Sequence, residues 1–312
     1  AADGSTRSAC NNRRMRLVLI TGMSGSGKSV ALRLLEDIGY YCVDNLPLQF
    51  LPDVSMHLDR AGYRDLAVSI DARSEATLNE LPTLLDGLTN AGHDVKVLFL
   101  TASDAALVQR YSESRRRHPL AQRLLKHNGG SAEPTLVESI QAERDILAPL
   151  ITIGHTIDTS ELHPNTLRNW IREFVSAPRV NLTMAFESFP FKDGIPVAAD
   201  LVFDVRNLPN PFYDPQLRPL TGLDAPVIDF LRAAPAVEEM IEDITAFIDK
   251  WLPGYLADNR HYITVAIGCT GGQHRSPYVV EELARRFGGR EKVLVRHRAL
   301  NRRDPSAAKV AP

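Results

Sequence analysis

The chain has 312 residues and a mass of 34.6 kDa, too long for one small core and comfortable for two ordinary domains. Hydrophobic residues at 44% and charged residues at 24% exclude a wholly disordered chain. No apolar run approaches the roughly 20 residues that cross a bilayer, and three scattered cysteines, Cys10, Cys42 and Cys269, exclude a disulfide framework or zinc site.

In chain order, Ala1–Arg14 shows no apolar period and reads as a flexible extension (1–14) ahead of a start at Met15. With no basic and apolar leader, a cytoplasmic protein with no membrane partner is expected. Leu17–Thr21 predicts a buried strand, and Val30–Ile38 an amphipathic helix with Gly39 at its C-cap. Strands are expected at Tyr41–Val43, Ala67–Ile70, Val95–Leu100 and around Thr156–Ile157. Helices are expected near Leu78–Leu88, Asp104–Arg116 and Thr135–Leu147, then one carrying Leu167, Ile171 and Phe174. Alternation of this kind predicts a parallel α/β sheet over residues 15–176. A second α/β domain, 177–312, restarts with strands at Leu182–Phe189 and Leu201–Val205. A proline- and asparagine-rich stretch, Leu208–Pro219, is expected to be irregular. Helices at Val227–Leu231 and Val237–Trp251, a strand at Tyr262–Ile267, a helix at Ser276–Phe287 and a strand near Val293–Val295 follow.

Two loops carry chemistry. Gly22-Met23-Ser24-Gly25-Ser26-Gly27-Lys28-Ser29 fits G-x-x-x-x-G-K-[ST] between a strand and a helix, the P-loop of a nucleotide-binding domain. Its glycines let main-chain N–H groups wrap a polyphosphate, Lys28 reaches the outer phosphates, and the Ser29 hydroxyl is placed for Mg²⁺. Asp44 and Asp71 end strand patterns, where each can serve Mg²⁺ or substrate, or cap the next turn. Arg110 and the run Arg115-Arg116-Arg117-His118 can close over phosphates as a lid, or form a solvated helix end. Five strands and an arginine-rich helix are kinase-like, so a P-loop small-molecule kinase is an alternative function.

Cys269-Thr270-Gly271-Gly272-Gln273-His274-Arg275-Ser276 has C-x₅-R-[ST] spacing, again between strand and helix. Three readings stand: a phosphate-binding loop with Arg275 as a forked donor, a phosphatase with Cys269 as nucleophile, and a structural turn. The phosphatase needs a general acid, for which Asp204 and Asp214 are candidates. Between Arg285 and Lys309 nine Lys and Arg face two acids, a net of +7 within a chain of net −2. Arg290, Lys292, Arg296, His297, Arg298, Arg302 and Arg303 therefore suit a nucleic-acid backbone or form a solvated tail.

Taken together these residues resemble the RapZ family of nucleotide-binding RNase adapter proteins. Besides both loops, the resemblance includes Tyr41–Pro47, Arg110-Tyr111, Arg115–Leu120, Ile157–Ser160, Phe186–Phe189, Phe203–Arg206, Leu208–Pro211 and Leu217–Gly222. The resemblance implies that ATP and GTP are bound with Mg²⁺ and weakly hydrolysed, with the guanine motif on Asp71-Ala72-Arg73-Ser74. It also implies that the second domain binds RNA and an amino-sugar phosphate, glucosamine-6-phosphate, with Asp204 and Arg218 joining Cys269–Ser276. As a homo-oligomeric RNase adapter of this family would, the chain is then expected to present a small regulatory RNA to an endoribonuclease. Two departures stand out: Phe212 occupies a position that is His in many members, and Gln122–Glu133 is longer than usual.

Overall fold

The structure is a computed structural model describing residues 15–72, 78–127, 133–151, 153–176, 182–257 and 262–300. The extension 1–14, Arg73, Ser74, Arg302 and Arg303 lie outside the described residues. β1 (Arg16–Gly22) is buried at every position after its first, as a strand covered on both faces must be. α1 (Lys28–Asp37) buries Ala31, Leu32, Leu34 and Leu35 along one stripe. Then come β2 (Tyr41–Val43), α2 (Leu51–Arg60), β3 (Asp65–Ser69), α3 (Leu81–Asn90) and β4 (Asp94–Thr101). α4 (Asp104–Ser114), α5 (Ala121–His127), α6 (Leu136–Leu147), β5 (His155–Asp158) and α7 (Pro164–Ser176) complete the first half. Its five strands are all parallel, in the order β2-β3-β1-β4-β5.

Parallel neighbours need helical crossovers, and these cover both faces of the sheet. Leu17 and Leu19 accordingly join one buried cluster, while Val18 and Ile20 join another with Trp170 and Phe174. α3 begins at Leu81, three residues later than its apolar pattern, with a proline in its first turn. Proline lacks an N–H and is tolerated there, where no intrahelical partner exists. α2 and α5 are additions to the expected elements. α2 buries Leu51, Ser55 and Leu58 along one stripe, with Val54 packed against the same core.

In the second half, β6 (Thr183–Pro190), β7 (Leu201–Asp204), α8 (Ala225–Arg232), α9 (Pro235–Ala257), β8 (Tyr262–Cys269), α10 (Arg275–Phe287) and β9 (Lys292–His297) follow in turn. The strands are again all parallel, in the order β7-β8-β6-β9. α9 continues through Pro253 to Ala257, six residues beyond its expected end at Trp251. Met184 and Phe186 of β6 share a cluster with Ile263, Val265 and Ile267 of β8, Val279, Val280 and Leu283 of α10, and Ile241 of α9. The opposite face is different. In register, Glu187 stands beside Ala266 and Arg296, so this face is small and charged and meets the first domain.

That seam is closed by charge. Arg298 lies between Asp158 Oδ2 and Glu187 Oε1, at 3.1 Å from each. Arg296, 1% exposed, reaches His155 Nε2 at 2.6 Å and stacks on Trp170 at 4.5 Å. Tyr262 packs against His155 and Phe174. Full burial and the charge of Arg296 hold His155 well below its ordinary pKa, so it accepts the arginine N–H as a neutral ring. This placement corrects the expectation of a nucleic-acid face on Arg296, His297 and Arg298. Arg298 is 6% exposed, and His297 bridges Ser188 Oγ and Glu281. Their charges serve the interior because both halves carry acids and carbonyls that demand partners there. Arg290 and Lys292 stay at the surface edge; Arg290 pairs with Asp249 at 3.1 Å.

Candidate functional site

The first loop leaves β1 where Gly22 stands opposite Leu100. Gly22 adopts φ +130, and a Cβ there would fall 1.9 Å from Leu100 O, so only glycine permits this exit. Gly27 is the left-handed N-cap of α1 and no side chain caps that helix. An α-helix N-terminus lacking a side-chain cap presents N–H groups and the positive end of its dipole to an anion. Lys28 Nζ donates to Gly22 O at 2.6 Å and Met23 O at 3.1 Å, which keeps its charge over the loop.

A cavity of about 470 Å³ opens at this loop. Gly25, Gly27, Lys28 and Ser29 line it together with Asp44, Asp71, Arg110, Arg116 and Arg117. Of the expected guanine motif, Asp71 lines the cavity and Ala72 packs into the core. Met23 is core as well, and Ser26 is buried. Arg110 donates to Gly25 O at 3.0 Å and to Thr159 O at 2.5 Å, so it braces the loop. Thr159 Oγ1 in turn donates to Ser26 O at 2.9 Å. Burial lowers the Arg110 pKa against the pull of Asp158. Arg115 is the left-handed C-cap of α4 at φ 51, while Arg116 and Arg117 reach the cavity.

The donor set fits Mg²⁺, a hard cation that takes oxygen ligands alongside phosphate oxygens. Ser29, Asp44 and Asp71 supply such oxygens to the lining of this cavity. Among the described residues no cluster of three His, Cys, Asp or Glu could hold a metal, so the ion would be shared with a phosphate ligand.

Glu143 escaped the sequence reading. It is 1% exposed and accepts from Ser24 of the loop, N–H at 2.8 Å and Oγ–H at 2.7 Å. Its Oε2 also meets His118 Nε2 at 3.2 Å. Burial raises the carboxyl pKa, but the His118 hydrogen bond, the Lys28 charge and Ser24 together hold it below its ordinary value. Beside it, burial and the Glu143 charge push the Tyr111 phenol up to about 12. One signal was available. On α6 the buried positions are Ser139, Ile140, Glu143 and Leu147, so an acid occupies the apolar stripe.

The second loop leaves β8 beside the end of β7, where Asp204 stands opposite Gly268. Cys269 Sγ accepts Gly272 N–H at 3.2 Å and Ser276 Oγ–H at 3.1 Å. Gly272 has φ +66, and a Cβ would lie 2.9 Å from Ala299 and 3.0 Å from Pro190. Thr270 is exposed at the rim, whereas Cys269 is 3% exposed. Arg275 differs from its expected role as a forked phosphate donor. It is 4% exposed and donates Nη1 to Arg206 O at 2.6 Å and Leu208 O at 3.2 Å, and Nη2 to Thr270 Oγ1 at 3.3 Å. Those carbonyls lie in the turn after β7, outside any strand, and the guanidinium satisfies them.

His274 is the N-cap residue of α10 and offers no side-chain cap. Burial lowers its pKa, outweighing the carbonyls of Arg218, Leu217 and Leu220. Gly222 covers this turn, its N–H donating to Gln273 O at 2.7 Å. Asp204 and Arg206 form a fork with contacts of 2.6 to 3.0 Å, and the Arg206 hydrogen bond lowers the Asp204 pKa. Arg206 stacks on Phe191 at 4.1 Å and Arg218 on Phe212 at 4.7 Å. Asp204 therefore borders the loop through its strand, and Arg218 belongs to the aromatic turn beside it. Asp214 accepts Gln216 N–H at 2.8 Å as a turn residue.

A family model described as the RapZ-like N-terminal domain matches residues 15–179, and one described as the RapZ C-terminal domain matches residues 182–301. A nucleotide-binding protein of Cupriavidus taiwanensis is 58% identical over 288 residues, covering 92% of this chain and 99% of its own. Another, from Ralstonia nicotianae, is 57% identical over 293 residues with coverage of 92% and 99%. Among solved structures, a shikimate kinase from Bacteroides thetaiotaomicron aligns at 14% identity and a TM-score of 0.37, over 52% of this chain and 99% of its own. Two family models matched in order, and relatives aligned along nearly their whole length, establish that the chain belongs to the RapZ family.

Proposed function

We propose that the protein binds a purine nucleoside triphosphate, ATP or GTP, with Mg²⁺ at the Gly22–Ser29 loop, and hydrolyses it slowly. The observation that carries this is the α1 N-terminus at Gly27, without a side-chain cap, together with Lys28, Ser29, Asp44 and Asp71 in one cavity. Helix donors and a lysine recognise the phosphates, and the carboxylates and Ser29 suit the cation. Relatives sharing 57–58% of their residues carry the name nucleotide-binding protein. The second loop is assigned to an amino-sugar phosphate, glucosamine-6-phosphate, and the surface around Arg290 and Lys292 to RNA. In this assignment the protein is a homo-oligomeric RNase adapter that presents a small regulatory RNA to an endoribonuclease and responds to the sugar phosphate.

Calorimetry tests both ligands on the full chain. Mg·ATP or Mg·GTP should bind the wild type, and Lys28→Ala should lose that heat. Glucosamine-6-phosphate should bind independently of Lys28. No heat with either triphosphate rejects the first assignment, and none with the hexosamine phosphate rejects the second.

A phosphatase is a second function favoured by one observation: Cys269 Sγ accepts two hydrogen bonds, from Gly272 N–H and Ser276 Oγ–H, which orient the sulfur at the start of the C-x₅-R loop. Against it, the sulfur is 3% exposed and Arg275 is engaged by carbonyls. Turnover of an aryl phosphate that disappears in Cys269→Ser would establish it; no turnover by the wild type would dismiss it.

A further inference from the structure

An ionised carboxylate in an apolar helix stripe is unfavourable unless its hydrogen bonds are filled. Glu143 stands in such a stripe, between Ile140 and Leu147, and its partners come from two different parts of the nucleotide cavity. Ser24, which gives both its N–H and its Oγ–H, is the third residue of the phosphate loop. His118, on the other side, directly follows Arg115, Arg116 and Arg117. Leu120 N–H donates to His118 Nδ1 at 3.2 Å, so Nε2 carries the ring proton and donates it to Glu143.

Both ends of the arginine run are thereby fixed. Its start leaves α4 through Arg115 at φ 51, a left-handed bend that turns the chain sharply. Its end is held by His118, whose ring also packs 5.3 Å from Tyr111. Arg116 and Arg117 lie two and one residues from that anchor, so their main chain cannot move far from the cavity they line.

We propose that Glu143 is a positioning residue: it ties the phosphate loop to the arginine run so that Arg116 and Arg117 meet the outer phosphates of a bound nucleotide. This rests on the nucleotide assignment of the cavity. An acid that only filled space would affect mono- and triphosphates alike and would be indifferent to the arginines.

The test is a double-mutant cycle by calorimetry on the full chain, using Mg²⁺ with a non-hydrolysable ATP analogue, and AMP. The arms are wild type, Arg116→Ala with Arg117→Ala, Glu143→Gln, and all three changes together. Glutamine keeps the size but removes the charge and one of the two acceptor oxygens, so the bonds to Ser24 and His118 lose their charge assistance. In the wild-type background, removing the arginines should weaken the triphosphate analogue about tenfold, the effect of one charge-assisted hydrogen bond. In the Glu143→Gln background the same removal should cost less than about threefold, and Glu143→Gln alone should weaken the analogue more than AMP.

Equal arginine effects in both backgrounds overturn the proposal, as does an equal loss for AMP and the analogue. A wild type that binds neither ligand rejects the nucleotide assignment itself, which separates the two failures. Should Glu143→Gln not fold, His118→Phe, which fills the space without a donor, releases only the arginine side. A smaller arginine effect in that variant supports the tie, and an unchanged one overturns it.

Discussion

Replacing Arg298 by methionine should unlock the seam between the two domains. The guanidinium is 6% exposed and bridges Asp158 and Glu187 at 3.1 Å each. At an effective dielectric of about 20, unit charges about 4 Å apart attract by about 4 kcal/mol. Two such attractions offset much of the desolvation of three buried ions, and removing one partner of a buried pair typically destabilises by about 3–5 kcal/mol. Methionine fills most of the space, so the loss reports charge more than packing.

The pH dependence follows from the same pair. In the wild type, burial raises the Asp158 carboxyl but Arg298 and Ser160 outweigh it and hold it low. That stabilisation is present above the unfolded pKa, about 3.9, and is lost as pH falls through the lower folded value. Glu187 is already raised by burial despite Arg298. Without the arginine both carboxyls shift upward, so the folded variant loses stability as pH rises above the unfolded values. The gap between wild type and variant in urea unfolding should therefore widen from pH 5 to pH 8. A gap below about 1 kcal/mol, the scale of an exposed pair, or one that does not change with pH, would refute a seam held by charge.

Three further outcomes follow from the same geometry. Gly22→Ala should destabilise by about 1–3 kcal/mol from backbone strain alone, with more from the overlap on Leu100 O, measured by chemical denaturation. Gly222→Ala places a Cβ 2.1 Å from His274 O. It should disturb hexosamine-phosphate binding in calorimetry while triphosphate binding persists. If RNA contacts the surface near β9, Arg290→Ala with Lys292→Ala should flatten the salt dependence of binding by up to about two phosphate contacts, read by filter binding across salt concentrations; an unchanged slope would move the RNA site elsewhere.

Much of the site was legible because phosphate loops are local. Gly22 to Ser29 spans one strand end, one turn and one helix start, and the residue types that build it are adjacent in the chain. The same holds for Cys269 to Ser276 in outline, although its arginine turns to carbonyls of a segment some 70 residues earlier. Glu143 was out of reach for a related reason. Its hydrogen-bond partner Ser24 is 119 positions away, and only the misplaced acid on α6 marked it.

Periodicity and turn chemistry in the amino-acid order alone determined alternating strands and helices, two glycine-bearing loops and the net basic end. These depend on contacts within a turn or two of chain. Tertiary structure alone decided which charges face water. Arg296 and Arg298 read as a basic strand in one dimension, yet β9 pairs beside β6 and turns Arg296 toward Glu187, while Arg298, just beyond the strand, binds both Glu187 and Asp158. Burial and ion pairing depend on the other elements that arrive at a face, and nothing in a run of neighbouring residues specifies those.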